Sequence, residues 1–355
     1  MSGRMIRIAV DAMGGDHFPD IHIEGSLEAV RSYPDVEVKL VGNEKMVREC
    51  LNRIVDSKDR KKHSPFPYSD LLNRIQIVHA DEVIDMSESP GRAVRAKKNS
   101  SIVLCNKLCH SGEVDAVIAA GNTGAAMAAS LLYMGRLPGV LRPAIMGMIP
   151  SEKNTVAILD IGANTDCKPV HLYQFAVIAS LFTRHVFGYQ NPRVGLLNIG
   201  EEKTKGNELT CETYTLLEKS SLNFIGNIEG RDIFKGKADV VICDGFVGNV
   251  LLKFAESIFG FITYELRQKA NRSAGRKLLA LMIKPMFKEI KREMSPEDYG
   301  GAPLMGVDGI CIICHGNSSS VAITNAIKVA RKLVFEEVNV LIKNELTRNN
   351  NLANE

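Results

Sequence analysis

The chain has 355 residues, 45 % hydrophobic and 24 % charged, with a formal net charge of +3, enough to bury a large core in one or two domains. So small a net charge implies no polyanionic partner, and sparse aromatics without a single Trp argue against a stacking platform for nucleic acid; no nucleic acid is expected. Eight Cys behind an amino terminus, Met1-Ser2-Gly3-Arg4-Met5, that has no apolar leader read as reduced thiols of a cytosolic protein, and no stretch nears the roughly eighteen uncharged apolar residues of a membrane span.

Short apolar runs recur along the chain and several stop at clusters of Gly, Asp and Asn. Residues 6–10 precede Asp11-Ala12-Met13-Gly14-Gly15-Asp16, and 116–120 precede Gly121-Asn122-Thr123-Gly124. Residues 156–159 precede Asp160-Ile161-Gly162-Ala163-Asn164, and 240–243 precede Asp244-Gly245-Phe246-Val247-Gly248-Asn249. Runs of this length between helix-length segments predict buried parallel strands. The strands are placed at 5–10, 36–41, 75–79, 115–120, 144–149, 155–160, 193–198, 222–226, 239–243 and 310–314. Helices are predicted over 20–32, 43–54, 90–110, 123–134, 168–186, 206–219, 247–270, 276–293 and 317–345. The polar, Pro-containing stretch 57–69 reads as a surface loop. The expected fold is α/β, a Rossmann-like parallel or mixed sheet with flanking helices. It forms one large unit over 1–346 with a frayed tail at 347–355. The Gly-rich turns are expected along one edge, where open α/β sheets bind ligands. Glycine lets backbone approach a ligand, and the free N–H groups of a helix start favour an anion.

Residues 267–292 depart from the rest. Arg267, Lys269, Arg272, Arg276, Lys277, Lys284, Lys288, Lys291 and Arg292 face a single acid, Glu289, and flank Leu278-Leu279-Ala280-Leu281-Met282-Ile283. One reading is a protruding helix on an anionic bilayer, with Leu278, Leu279, Leu281, Met282 and Ile283 in contact with lipid. The other is a helix buried at a dimer contact, with solvated cations at its ends.

No G-x-G-x-x-G, G-x-x-x-x-G-K-[ST], G-x-S-x-G or H-E-x-x-H string occurs, so standard nucleotide, serine-hydrolase and zinc-protease machinery is missing. The loop from Gly200 to Gly206 resembles a phosphate loop in composition only. Cys311-Ile312-Ile313-Cys314-His315 matches a haem-attachment string, but it lies in an apolar run and reads as two small core side chains. Cys105 and Cys109 are four apart on a predicted helix, and with only the adjacent His110 beside them they do not read as a zinc site.

Six ordered blocks carry a resemblance: IAVDAMGGDHFPD at 8–20, AGNTGA at 120–125, LDIGANTDCKP at 159–169, GLLNIGEEKTKGNEL at 195–209, CDGFVGNVLLK at 243–253 and YGGAPLMGVDG…HG at 299–316. Together they resemble the bacterial phosphate acyltransferase family from residue 5 to about 345. The pattern differs in a longer loop at 56–69 and in Asn317-Ser318-Ser319-Ser320 after His315-Gly316. The resemblance implies the fold of the isocitrate/isopropylmalate dehydrogenases and phosphotransacetylases. It implies transfer of a fatty acyl group from acyl carrier protein to inorganic phosphate, giving acyl phosphate for phospholipid synthesis. It further implies a cytoplasmic homodimer that associates with the membrane, where a glycerol-3-phosphate acyltransferase would take the product.

The residues fit that chemistry. Phosphate is anionic near neutral pH and needs no strong base to attack a thioester, so the enzyme must hold it, align it and stabilise an oxyanion. No cofactor is expected. Lys168, at a helix start, is the leading phosphate ligand, or else a surface lysine. His315 donates a proton to the thiolate or binds phosphate, or is a core-edge histidine. Gly14 and Gly15 offer backbone N–H groups. Asn122 and Thr123 are ligand donors or helix caps, and Asn164, Asn198 and Asn249 are ligand contacts or turn residues. Asp244 belongs to the same substrate-side turns. With Asp11, Asp16 and Asp160 it would repel a phosphate that it faced, so these carboxylates orient a cation, cap a loop or accept hydrogen bonds; no metal is assigned. Arg92, Arg95, Lys97 and Lys98 form a cationic patch for an acidic carrier protein, or a solvated face, with Lys253, Arg267 and Lys269 as competitors. A short-chain acyl-CoA:phosphate transacetylase on the same fold is the alternative. An oxidative decarboxylase and a non-catalytic membrane scaffold are weaker rivals.

Overall fold

The computed structural model describes residues 4–61, 67–293 and 299–352. Its first half alternates strand and helix: β1 (Ile6–Asp11), α1 (Asp20–Ser32), β2 (Val36–Gly42), α2 (Glu44–Lys61), β3 (Ile75–His79), α3 (Pro90–Ala96), α4 (Ser101–His110), β4 (Ala116–Ala119) and α5 (Thr123–Ala129). Next come β5 (Ala144–Pro150), β6 (Thr155–Leu159), α6 (Pro169–Phe187), β7 (Val194–Leu197), α7 (Glu208–Glu218), β8 (Phe224–Ile228), α8 (Gly230–Phe234) and β9 (Val240–Ile242). Two long helices, α9 (Gly245–Ala270) and α10 (Ala274–Glu293), lead to β10 (Ala302–Met305), β11 (Cys311–Ile313), α11 (Ser320–Phe335) and α12 (Val338–Leu352).

The described strands form one sheet in the order β3-β2-β1-β4-β11-β10-β5-β6-β9-β7-β8. In the central strands side chains alternate between two buried faces, which is why those runs read as continuously apolar. Strands β2 and β3, toward the edge, carry polar alternates such as Glu37 and Gln76. In β1, Ile8 and Val10 point into one core and Ala9 into the other; in β6, Ala157 and Leu159 oppose Val156 and Ile158. The first face carries α1, α2, α6, α11 and α12, whereas the second carries α3, α4, α5, α8 and the start of α9. Cys311 and Cys314 are buried with β11, as expected for core thiols.

The ligand edge is not single. Strands β3, β2, β1, β4 and β11 run parallel, but β10 is antiparallel to β11 and to β5, and β5 is antiparallel to β6. Strands β6, β9, β7 and β8 therefore run opposite to the first five. The β5–β6 hairpin causes the reversal, its turn closed by the Ser151 hydroxyl, which accepts from Asn154 N at 3.1 Å and donates to Asn154 O at 2.6 Å. The turns after β1, β4 and β11 thus lie at one edge, and those after β6, β7 and β9 at the other.

Local differences have local causes. Strand β10 is unexpected because Pro303 sits in its four residues and two glycines precede it, features that read as loop. Helix α2 continues to Lys61, into the predicted 57–69 loop, and Tyr68–Arg74 form a 3-10 turn; residues 62–66 lie outside the described ones. The single helix predicted over 90–110 breaks at Lys97 into α3 and α4. The last one breaks at Glu337, whose φ is +49°. Helix α12 runs to Leu352, and residues 353–355 of the expected tail are not described.

Helices α9 and α10 pack on each other and leave many apolar side chains exposed. Phe246, Phe254 and Phe261 of α9 are exposed, as are Leu278, Leu279, Leu281, Met282 and Ile283 of α10. By length and composition alone α9 could cross a membrane, although Lys253 and Glu256 lie within it.

Candidate functional site

A cavity of about 430 Å³ opens between α5 and α9 over the central strands, a size within the roughly 300–1,000 Å³ of small-molecule sites. Ile145, Ile161, Leu252, Ala302 and Ile313 make its lining largely apolar. Thr123, Asn249, Lys253, Glu256, Tyr299, His315 and Ser318 supply the polar groups. Gly147 lets the floor close, because a Cβ there would stand 2.9 Å from Ile161 Cγ2. The cavity reaches from the end of β11 to the turn after β6, three strand spacings or about 14 Å across the sheet.

The Asn249 end is built on α9. Asp244 caps that helix, accepting from Val247 N at 2.9 Å, and this sets the register of the turns that follow. Asn249, Lys253 and Glu256 then share one stripe toward the cavity. Asn249 packs over Gly162: a Cβ on that glycine, whose φ is +147°, would lie 3.5 Å from Asn249 Nδ2. Among the described residues no hydrogen-bond partner is recorded for the Asn249 amide, and no ion pair for Lys253. Beneath this end, Asp160 gathers the turn. Its Oδ1 accepts from Ile145 N, Gly162 N and Ala163 N, and its Oδ2 from Asn164 N and Nδ2, all at 2.7–3.1 Å. Burial pushes the Asp160 pKa up against these donors.

At the other end, His315 Nδ1 accepts from Asn317 N at 3.2 Å. A neutral ring held this way carries its proton on Nε2. Thr123 is exposed in the first turn of α5. Gly14, Gly15, Ala120 and Gly316 form a crossing of three turns rather than an opening. A Cβ on Gly15, whose φ is +81°, would stand 2.5 Å from both Ala120 O and Gly316 O, and one on Gly14 2.9 Å from Ala120 O. Asp16 N donates across this crossing to Gly316 O at 2.8 Å. Asp11 is buried beside it, its pKa raised by that burial, and accepts from Met13 N at 3.1 Å.

Thr123, Asn249 and His315 therefore meet the cavity, as does Lys253, while the other sequence candidates do not line it. Asn122 caps α5 through Ala125 N at 3.0 Å and donates to Asp85 O, Met86 O and Glu88 O at 3.2–3.3 Å. Asn164 donates to Pro143 O at 2.8 Å as well as to Asp160. Asn198 donates to Lys205 O at 2.9 Å and accepts from Ile199 N at 2.8 Å. Lys168 is the N-cap of α6, on the opposite face of the sheet, where its N–H donates to His171 Nδ1 at 3.0 Å. Burial is the main cause of the lowered His171 pKa, with the charges of Arg142 and Lys168 adding to it. In the basic patch, Lys97 turns inward to Glu88 at 2.6 Å and Val83 O at 2.7 Å; Arg92, Arg95 and Lys98 stay exposed. Glu256 is a functional candidate that the turn-by-turn reading of the sequence passes over, and Lys253, weighed there only as a competing cation for carrier docking, lines the cavity. Their signal was spacing, since 249, 253 and 256 fall on one helix face. Among the described residues no cluster of three metal-ligating side chains occurs.

The sequence pattern of the family described as fatty acid synthesis protein matches residues 6–341. A phosphate acyltransferase of Desulfitobacterium hafniense strain Y51 is 49 % identical over 97 % of this chain and 98 % of its own length. One from Pelotomaculum thermopropionicum is 48 % identical over 93 % and 92 %. Among solved structures, a phosphotransacetylase from Streptococcus pyogenes superposes with a TM-score of 0.58 at 15 % identity, covering 93 % of this chain and 95 % of that one. The EutD phosphotransacetylase from Staphylococcus aureus gives 0.56 at 14 % identity over 94 % and 96 %. At such identities these two structures show a shared fold alone.

Proposed function

Because the chain belongs to the fatty acid synthesis protein family, in which its near relatives are phosphate acyltransferases, we propose that the α5–α9 cleft joins inorganic phosphate to a long-chain acyl group delivered by acyl carrier protein. The enzyme is an acyltransferase of lipid synthesis, and the carrier-bound donor is part of the proposal. One observation carries it: an apolar trough ending at an amide and an ammonium without described partners. An acyl thioester fits the trough, and an anionic nucleophile fits its end. The phosphate oxygen attacks the carbonyl carbon, the C–S bond breaks, and the sulfur leaves as a thiolate that water protonates. The Asn249 amide offers an N–H to the developing oxyanion, where one such donor is worth about 3 kcal/mol. His315 and Thr123, at the far end, guide the donor arm.

Carrier docking is supported by Arg92, Arg95 and Lys98, exposed on and just past α3, which follows the loop that Asn122 ties to α5. The exposed apolar faces of α9 and α10 support two further parts of the reading. They bury against a second copy in a homodimer, and the Leu278–Ile283 stretch with its basic flanks touches an anionic membrane. The protein then works as a cytoplasmic enzyme peripherally bound at the bilayer, passing acyl phosphate to a membrane glycerol-3-phosphate acyltransferase. The side chains of Lys288, Lys291 and Arg292 lie outside the described ones.

The test is acyl phosphate formation from long-chain acyl carrier protein and inorganic phosphate, trapped with hydroxylamine. Phosphate-dependent acyl hydroxamate is expected. Product from acetyl-CoA alone would overturn the carrier reading in favour of a short-chain transacetylase.

A further inference from the structure

Building on the acyl-phosphate reading of this cleft, we propose that Lys253, with Asn249 one turn before it, binds the attacking phosphate. Lys253 is the one lysine or arginine among the described lining residues. An anion entering a cleft floored by Ile145, Ile161 and Leu252 loses water and needs a compensating cation there. Lys97 pairs with Glu88, Arg193 with Asp239 and Lys237 with Glu201, and Arg92, Arg95 and Lys98 lie outside the lining. Lys168 heads a helix on the opposite face of the sheet.

The spacing suits the ligand. Residues four apart on a helix rise about 6 Å and share a face, so an ammonium and a carboxamide can converge on one phosphate from the same side. Gly162, without a side chain, leaves room beside the amide. Lysine presents a compact charge with three donors on a flexible stem; it can hold phosphate without the two-point clamp of an arginine. Glu256 follows on the same stripe, and its repulsion keeps the anion toward Asn249.

The experiment measures phosphate KM, donor KM and kcat for Lys253→Ala, Lys253→Arg and Lys168→Ala, together with calorimetric titration of inorganic phosphate alone. Losing one charge-assisted contact is expected to raise phosphate KM roughly 10- to 150-fold in Lys253→Ala, with donor KM within about 3-fold of wild type and partial rescue in Lys253→Arg. Lys253→Met keeps the aliphatic stem and serves if the alanine variant fails to fold. Unchanged phosphate affinity without Lys253, or a loss confined to Lys168→Ala, would overturn the assignment. Titration separates this inference from the reaction it rests on. Lys253-dependent phosphate binding without acyl phosphate formation would sink the reaction and keep the site. Acyl phosphate made with unchanged phosphate KM in Lys253→Ala would sink the site and keep the reaction.

Discussion

Asn122 does two jobs with one side chain, and substitution can divide them. Its Oδ1 accepts from Ala125 N at 3.0 Å, and its Nδ2 donates to Asp85 O, Met86 O and Glu88 O at 3.2–3.3 Å. Asn122→Asp keeps the cap, since Asp and Asn cap about equally well, but turns a carboxylate oxygen toward three carbonyls. Two amide protons shared over three long bonds are worth about 1 kcal/mol at the low end of hydrogen-bond contributions. Repulsion between carboxylate and carbonyls adds a similar amount. The loop at 85–88 should therefore open about 2 kcal/mol more easily, a roughly 30-fold faster amide exchange. Asn122→Ser, which keeps the cap without the charge, should show about half that free-energy change. Hydrogen exchange read by mass spectrometry over this loop makes the measurement, with the β1 amides as internal reference. Equal exchange in wild type and Asn122→Asp would refute the idea that this amide fastens the loop. Since Pro90 begins α3 and packs against Gly124, a loosened loop should also raise KM for a carrier-bound donor while leaving phosphate KM alone.

His22 is fully buried, neither ring nitrogen has a hydrogen-bond partner, and burial lowers its pKa to about 4. An unfolded chain binds this proton below about pH 6.5 and the folded one does not, so stability is present above that pH and falls as pH drops toward 4. The loss is about 3 kcal/mol across the window. His22→Leu should flatten that part of the pH profile in urea unfolding, and an unchanged slope would exclude the assignment. Leu281, 69 % exposed on α10, should anchor the α9–α10 pair to lipid. Leu281→Glu is expected to weaken sedimentation with anionic vesicles and leave turnover of a soluble donor intact; undiminished sedimentation would remove the membrane contact. His315→Gln should raise donor KM and spare phosphate KM, the reverse of the Lys253 pattern, and a shift in phosphate KM instead would place the histidine at the other substrate.

Much of the sheet was legible because its central strands, such as β4 and β5, are buried on both faces. Residues 8–10 and 156–159, the middles of β1 and β6, are an unbroken apolar, buried run. Strand direction was not legible, because apolar periodicity is the same read either way. The hairpin between Pro150 and Thr155 reverses half of the sheet through a few polar residues that resemble any surface turn. The strand-end asparagines carry two readings, turn residue or ligand contact, for a related reason. Asn122, Asn164 and Asn198 mark turns because their amides satisfy turn backbone, and the same amide chemistry in a sequence also suggests a ligand contact. Only Asn249, lying beyond the cap that Asp244 already provides, keeps its amide toward the cavity.

The position of the cleft follows from that reversal. A crossover between parallel strands lays a helix on the sheet, so β1, β2 and β4 on one side and β6, β7 and β9 on the other acquire cover as the chain winds. Strands β10 and β5 run antiparallel to both of their neighbours, and no crossover helix is required over them. The second face of the sheet is left open at its centre, between the last helix of the first half, α5, and the first long helix after the second half, α9. A ligand entering there meets helix flanks as well as the ends of strands. The residues able to hold it are consequently spaced along a helix face, as Asn249 and Lys253 are, and a search confined to Gly-rich turns finds the residues that build the walls.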